Sequence, residues 1–186
     1  PIIISCSTTV TAGVTLTIEP GVQVRLVRGS AKGRVWFRIE GELLARGTEE
    51  RPILFTSAAS NPLQGDWASL IFTKTSASSR FDEAGEYNGG SILEFCVVEF
   101  GGSAGRLGAI EVRGASLYLN HVVIHKNASS AIEVRDGDIT VHNSNLVSNS
   151  NSQGLGGGIL AHSSKIILNE TTVKRNSVAG AGGGIY

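Results

Sequence analysis

The chain has no methionine, two cysteines and four prolines in 186 residues, and only 6% of its residues are aromatic. Lysine plus arginine and aspartate plus glutamate both number 16, so the formal net charge is zero. A chain without a basic excess lacks the electrostatic footprint of a nucleic-acid-binding domain. It also lacks the run of about 18 apolar residues that a membrane helix requires. The composition therefore predicts neither a nucleic-acid partner nor a membrane span in this stretch.

The chain does contain an internal repeat, which starts at Ile110, Ile132 and Ile159. In each copy an aliphatic residue follows after 9 and after 14 positions, and an asparagine after 17 positions. The three columns are Leu119, Val141 and Leu168, then Ile124, Leu146 and Val173, and finally Asn127, Asn149 and Asn176. The copies start 22 and then 27 residues apart, and the difference lies between the asparagine and the next isoleucine. Constant offsets with one variable loop predict a solenoid.

Apolar and polar residues alternate within each copy, as in Ile110-Glu-Val112-Arg and Ile139-Thr-Val141-His. Alternation with a period of two indicates short β-strands, and several short strands in each repeat are typical of a parallel β-helix. We therefore predict an all-β fold, a right-handed parallel β-helix, with about seven or eight coils of this repeat size. Residues 1–186 are predicted to form a single domain.

Two matches extend the repeat into the upstream half. Residues 68–72 match residues 108–112, which predicts that Leu70 stacks on Ile110. The alternating residues at Leu16 and beyond match those at Phe37 and beyond, which predicts a coil of 21 residues. Both matches place the upstream half in the same β-helix.

Two segments depart from the repeat. Residues 73–91 are rich in serine, glycine, alanine and glutamate, and they predict a loop that is extruded from the coil. Gly182-Gly-Gly-Ile185 opens a further copy just before the last residue. An uncapped coil exposes strand edges, so we expect a fragment of a longer chain, or an end covered by a partner through head-to-tail self-association.

The positions of the cysteines and histidines in the sequence predict no metal or cofactor site. Cys6 and Cys96 are predicted to lie several coils apart, beyond the Cα separation of about 7 Å that a disulfide allows, and to be small buried residues. The histidines at positions 121, 125, 142 and 162 do not combine with cysteine in a metal-ligand spacing.

The asparagine column of Asn127, Asn149 and Asn176 predicts a structural ladder. Amides at the same position of successive coils can pass hydrogen bonds along the stack, and asparagine tolerates the left-handed backbone of a sharp corner. A row of ligands for a polar molecule or a metal is the alternative interpretation.

A charged square is predicted from Glu111, Arg113, Glu133 and Arg135. Their apolar neighbours point into the coil, so these four side chains are expected to point outward on adjacent strands. One interpretation is a solvated salt-bridge cluster, worth about 0–1 kcal/mol per pair. The other is a candidate binding face for a polysaccharide or a partner protein.

The acidic residues do not form an obvious catalytic pattern. A glycosidase needs two carboxylates about 5–9.5 Å apart, and a Ca²⁺ site needs about six to eight oxygen ligands. Asp136-Gly-Asp138, between two predicted strands, reads as a turn. We therefore predict no catalytic residue, with a polysaccharide lyase or hydrolase as the alternative.

The glycine and asparagine motifs resemble the repeats of polymorphic outer-membrane proteins. Gly-Gly-Gly-Ile at 156–159 and 182–185, with Leu-Gly-Ala-Ile at 107–110, is similar to the first motif of that family, Gly-Gly-Ala-Ile. Segments 124–127, 146–149 and 173–176 are similar to its second motif, Phe-x-x-Asn, with an aliphatic residue in place of phenylalanine. The resemblance implies an extracellular or cell-surface module, structural or adhesive, whose partners are other protein chains or surface polysaccharide. A subunit of an extracellular filament or sheath is a further alternative.

Overall fold

The computed structural model describes residues 1–29, 33–102, 108–152 and 154–186. These residues form a right-handed parallel β-helix, as predicted: every strand of the three main sheets pairs in parallel with the strand one coil away. The described part contains strands and no helix. It accordingly has no helix that is long and apolar enough to cross a membrane.

Three sheets, here called A, B and C, line the sides of the coil and follow one another along the chain. Sheet A consists of β1 (Ile2–Ile4), β4 (Gln23–Leu26), β7 (Ile53–Ser57), β12 (Cys96–Glu99), β15 (Val123–His125), β18 (Asn145–Val147) and β22 (Thr172–Lys174). Sheet B consists of β2 (Thr8–Val10), β5 (Phe37–Ile39), β8 (Leu70–Phe72), β13 (Ile110–Arg113), β16 (Ile132–Arg135) and β20 (Ile159–His162). Sheet C consists of β3 (Thr15–Ile18), β6 (Glu42–Arg46), β11 (Ile92–Glu94), β14 (Ser116–Asn120), β17 (Asp138–His142) and β21 (Lys165–Asn169). The remaining described strands are β9 (Arg80–Phe81), β10 (Tyr87–Gly89), β19 (Ser150–Asn151) and β23 (Ser177–Val178).

The strand register confirms the downstream repeat. Ile110 pairs with Ile132, which in turn pairs with Ile159, and Leu70 pairs with Ile110. The two aliphatic columns are aligned in the same way in sheets C and A. These side chains point into the coil and form one continuous core with the large buried residues Trp67 and Phe55.

The predicted upstream register is wrong. Leu16 pairs with Leu43, not with Phe37, and Phe37 pairs with Thr8. The prediction matched strands that lie on different sides of the coil, because alternation with a period of two looks the same in all three sheets. The 27–36 connection, which lengthens this coil between β4 and β5, hides the true spacing.

Left-handed backbone marks the corners of the coil. His121 and Lys126, at the two ends of sheet A in one coil, both have a φ of 53°. Residues with positive φ recur at these two corners in other coils and at a third corner, between sheets B and C. They are Phe95, Asn143 and Glu170 before sheet A; Phe100, Ser148 and Arg175 after it; and Gly114, Asp136 and Ser163 between sheets B and C. Because the same torsion recurs in each column, the coils follow one backbone path.

Residues 73–91 leave the coil between β8 and β11 and carry the antiparallel hairpin of β9 and β10. The hairpin packs on sheet C through Tyr118, whose ring centroid lies 5.2 Å from that of Phe81 and 5.6 Å from that of Tyr87. The segment is therefore an ordered ledge that projects from the side of the coil.

The cysteines are both free, and Cys96 is buried in the core. Cys6 is exposed, so its predicted burial is wrong. It lies in the connection between β1 and β2.

Candidate functional site

The three asparagines lie one above another beside sheet A. Asn127 Nδ2 donates to Asn149 Oδ1 at 2.9 Å, and Asn149 Nδ2 donates to Asn176 Oδ1 at 3.0 Å. Each of these acceptor oxygens also receives the backbone N–H of the asparagine in the coil before it. Asn127 and Asn149 are fully buried. The amides of this column therefore bind backbone and one another, which is a structural role.

Gly101 occupies the position one coil before Asn127, and its N–H donates to Asn127 Oδ1 at 2.8 Å. A Cβ on Gly101 would approach the ring of Trp67 to 2.7 Å. Any larger side chain would collide with this buried indole, so the ladder starts one coil later.

The charged square has a buried half and an exposed half. Glu111 pairs with Glu133 and Arg113 pairs with Arg135 on neighbouring strands of sheet B. The side chains of the two glutamates are 0% and 4% exposed, whereas those of the arginines are 51% and 46% exposed. The predicted solvation is therefore wrong for the carboxylates.

The outer face of sheet B is covered at this point. Ile71 and Leu160, which flank the two glutamates in the same outward column, are also buried. Gly108, two residues before β13, donates its N–H to Glu133 Oε2 at 3.1 Å, so Gly108 lies against the strand of the next coil. The alternation pattern reports which face a residue occupies, but it cannot report what covers that face.

Each arginine is held by the glutamate two residues before it. Arg113 Nε donates to Glu111 Oε1 at 2.5 Å, and Arg135 Nε donates to Glu133 Oε1 at 2.7 Å. Burial raises the pKa of Glu111, an effect that the hydrogen bond from Arg113 opposes without cancelling it. Glu111 Oε2 is buried and has no hydrogen-bond partner among the residues that the structure describes. The charged form of Glu111 is therefore held at a cost in stability.

The substitution Glu111→Gln is expected to stabilise the protein at neutral pH by up to about 1 kcal/mol, since Gln can still accept from Arg113. The raised pKa means that the folded state binds the proton of Glu111 more tightly than the unfolded state does. The advantage of the variant should therefore shrink as the pH falls toward the ordinary value of 4.5. Urea denaturation across this pH range measures the difference.

Glu133→Gln is the matched control for this prediction. Both oxygens of Glu133 accept hydrogen bonds, from Arg135 and from Gly108 N–H, so glutamine, whose amide nitrogen cannot accept, loses one of them and should not stabilise the protein. Equal gains in both variants would contradict the assignment of the cost to the buried charge of Glu111.

A groove of about 510 Å³ opens beside the two arginines. It is lined by Thr73, Lys74, Arg113, Gly114, Arg135 and Asp136. Three of these six residues carry a cationic side chain and one carries a carboxylate. The carboxylates that pair with the arginines are buried behind them, and the half-exposed guanidinium groups lie in the wall of the groove among carbon atoms that form most of its surface.

Sequence reasoning missed an ion pair between the buried Asp66 and the half-exposed Arg28. Arg28 Nε donates to Asp66 Oδ1 at 2.5 Å, and Asp66 Oδ2 accepts from Ser57 Oγ at 2.6 Å and from Leu63 N–H at 3.1 Å. Burial acts to raise the pKa of Asp66, but these hydrogen bonds outweigh it and lower the pKa. Asp66 lies in a connection between β7 and β8, where alternation gives no information about burial.

A second missed network lies on the outer face of sheet A. Glu99 accepts a hydrogen bond from Thr56 Oγ1 at 2.9 Å and pairs with His125 Nε2 at 3.1 Å. Burial lowers the pKa of His125, against the opposing charge of Glu99. The residues lie in three successive coils, so an alignment of the strands across coils could have found them.

Metal ligands are not clustered in the part of the chain that the structure describes: no group of three or more His, Cys, Asp and Glu side chains is placed to hold an ion there.

Comparison with known protein families identifies a match over most of the chain. The family model described as a pectate-lyase like beta helix domain matches residues 3–153. No curated protein and no solved structure matches the chain significantly.

Proposed function

This chain belongs to the family of pectate-lyase-like β-helix domains, and we propose that it is a non-catalytic member that binds acidic polysaccharide at the surface of a cell. The observation that carries the proposal is the pair of half-exposed guanidinium groups, Arg113 and Arg135, which buried carboxylates hold side by side at the groove.

The two arginine side chains are preorganised to bind an anion. Because each Nε is engaged by a glutamate, the guanidinium planes are oriented before any ligand arrives. Neighbouring strands lie roughly 4.8 Å apart, so the two groups follow each other at that interval along the β-helix. A planar guanidinium suits the two oxygens of a carboxylate or sulfate. Preorganisation reduces the entropy that binding must overcome.

The proposed location at the cell surface and the adhesive or structural role rest on the repeat motifs. The glycine-rich and asparagine motifs resemble polymorphic outer-membrane protein repeats, although Leu107 of one motif copy lies outside the described residues. A β-helix that displays a binding groove on its side suits such a role, because the coils hold the groove away from the surface that carries it.

One observation favours the enzymatic alternative. Glu111 and Glu133 lie on adjacent strands, close to the separation of about 5 Å between the carboxylates of retaining glycosidases, and the pKa of Glu111 is raised. Against it, both carboxylates are buried and each is bound to an arginine. A buried, paired carboxylate cannot reach a glycosidic bond, so the same four residues favour binding without cleavage.

Binding is tested by calorimetry with two probes, tetragalacturonate and a hyaluronan tetrasaccharide. Arg113→Ala and Arg135→Ala are each expected to weaken the affinity for a bound probe about tenfold, since one charge-assisted contact is worth about 1.5–3 kcal/mol. Arg175→Ala, an exposed arginine outside the groove, is the control and should leave the affinity unchanged.

The same samples test catalysis. Incubation with polygalacturonate, alginate or hyaluronan, with and without Ca²⁺, is expected to produce no unsaturated and no new reducing ends. Failure of both probes to bind would overturn the proposed function. Cleavage that Glu111→Gln or Asp136→Ala abolishes would replace it with the enzymatic alternative.

A further inference from the structure

The groove at the arginines is one section of a longer groove. A second section of about 200 Å³ shares Gly114 and Asp136 with the first. A third section of about 180 Å³ shares Ser116 and Asp138 with the second. The three sections therefore follow one another across the corner between sheets B and C.

The ledge formed by residues 73–91 makes one wall of all three sections. Thr73 and Lys74 line the first section, Ser78 the second, and Phe81 the third. Hydrogen bonds join the ledge to the floor of the groove: Ser116 N–H donates to Ser78 Oγ at 3.0 Å, and Ser79 N–H donates to Ser116 O at 2.9 Å. The wall is thus fixed to the coil beneath it.

The chemistry of the floor changes along the groove. The first section is lined by the cations Lys74, Arg113 and Arg135, and it shares the carboxylate of Asp136 with the second section. The second section presents the exposed carboxylates of Asp136 and Asp138, with serine hydroxyls beside them. The third section presents the apolar side chains of Phe81 and Ile167, which are 36% and 39% exposed, beside the exposed cation Lys165.

We infer that the groove selects a glycan in which a hexuronate alternates with a neutral sugar; the inference rests on the proposed function. A hexuronate carboxylate pairs with Arg113 and Arg135 in the first section. A neutral sugar in the second section donates its hydroxyl groups to Asp136 and Asp138. In the third section, the apolar C–H face of the next sugar ring packs on the aromatic ring of Phe81.

A uniform polyuronate fits this pattern poorly. It would bring a sugar carboxylate into the second section, against two aspartate carboxylates, and like charges at this distance repel. The second section therefore acts against polymers that carry a charge on every residue.

The test compares a hyaluronan tetrasaccharide, which alternates glucuronate with a neutral N-acetylated sugar, with tetragalacturonate of the same length. Calorimetry is expected to show at least about tenfold tighter binding of the hyaluronan probe, the ratio that 1.4 kcal/mol produces. The double variant Asp136→Asn, Asp138→Asn should lose most of this preference by binding tetragalacturonate more tightly. Asparagine keeps the oxygen of Asp138 that accepts from Lys165 N–H.

The aromatic end is tested separately. Phe81→Ala is expected to weaken binding of the hyaluronan tetrasaccharide about tenfold, and Phe81→Leu, which preserves the apolar packing of the hairpin, about threefold. The thermal unfolding of each variant shows whether the ledge stays folded. If Phe81→Ala unfolds, the affinity of Phe81→Leu decides the test. Equal affinity for the two probes, or a preference for tetragalacturonate, would overturn this inference and leave the proposed function standing. Absence of binding to either probe overturns both.

Discussion

Asn149→Ala is expected to lower the free energy of unfolding by about 3–4 kcal/mol, the largest effect that we predict. Asn149 Oδ1 accepts the backbone N–H and the Nδ2 of Asn127, and its own Nδ2 donates to Ile124 O and to Asn176 Oδ1. Alanine leaves these buried groups without partners, and each such group costs about 1–3 kcal/mol. Chemical denaturation measures the loss.

Two controls separate the ladder from a general effect of losing an amide. Asn145→Ala removes an exposed asparagine from the same coil and should change stability by less than about 0.5 kcal/mol. Asn176→Ala removes a half-buried member that contacts one asparagine instead of two, so its loss should be intermediate. If Asn149→Ala is no more destabilising than Asn145→Ala, the column does not stabilise the coil.

Asp66→Ala is expected to lower the free energy of unfolding by about 3 kcal/mol. The carboxylate is buried and joins three parts of the chain, through Arg28 before β5, Ser57 at the end of β7 and Leu63 in the connection to β8. Alanine leaves the hydroxyl of Ser57 and the N–H of Leu63 without this acceptor. Thermal and urea denaturation both measure the loss.

The stability that Asp66 contributes should depend on pH. Its pKa is lower in the folded state than its ordinary value of 3.8, so its contribution is complete above that value. The contribution is lost as the pH falls through the folded pKa. The difference in stability between the native protein and Asp66→Asn should therefore narrow in acid. Arg28→Ala is expected to cost less than Asp66→Ala, because it leaves the hydrogen bonds from Ser57 and Leu63 in place.

The ledge of residues 73–91 connects the fold to the proposed function. A regular coil between β8 and β11 would leave the corner at Gly114 and Asp136 open on the side now closed by the ledge. The inserted hairpin supplies a wall and an exposed aromatic ring there. The regular coils position the two arginines, and the inserted residues 73–91 form one wall of the groove beside them.

The downstream fold could be predicted because its information is local and repeated. Ile110, Ile132 and Ile159 are separated by different numbers of residues, yet the residues that follow each one are equally spaced, and equal spacing in a stacked coil means direct contact. Upstream, the same reasoning slipped by one strand at Leu16. Alternation identifies a strand without identifying the side of the coil on which it lies.

From the repeat and the alternation alone, one can predict that β13, β16 and β20 stack and that Glu111 and Glu133 point out of the core. Strand period and repeat offset are properties of neighbouring residues, and they can be read without the fold. Three features could be seen only in the folded chain: these carboxylates are buried, Asp66 pairs with Arg28, and the 73–91 ledge lies along the arginine groove. Burial and groove shape depend on which distant segments meet, and the paths of irregular connections have no period from which they could be predicted.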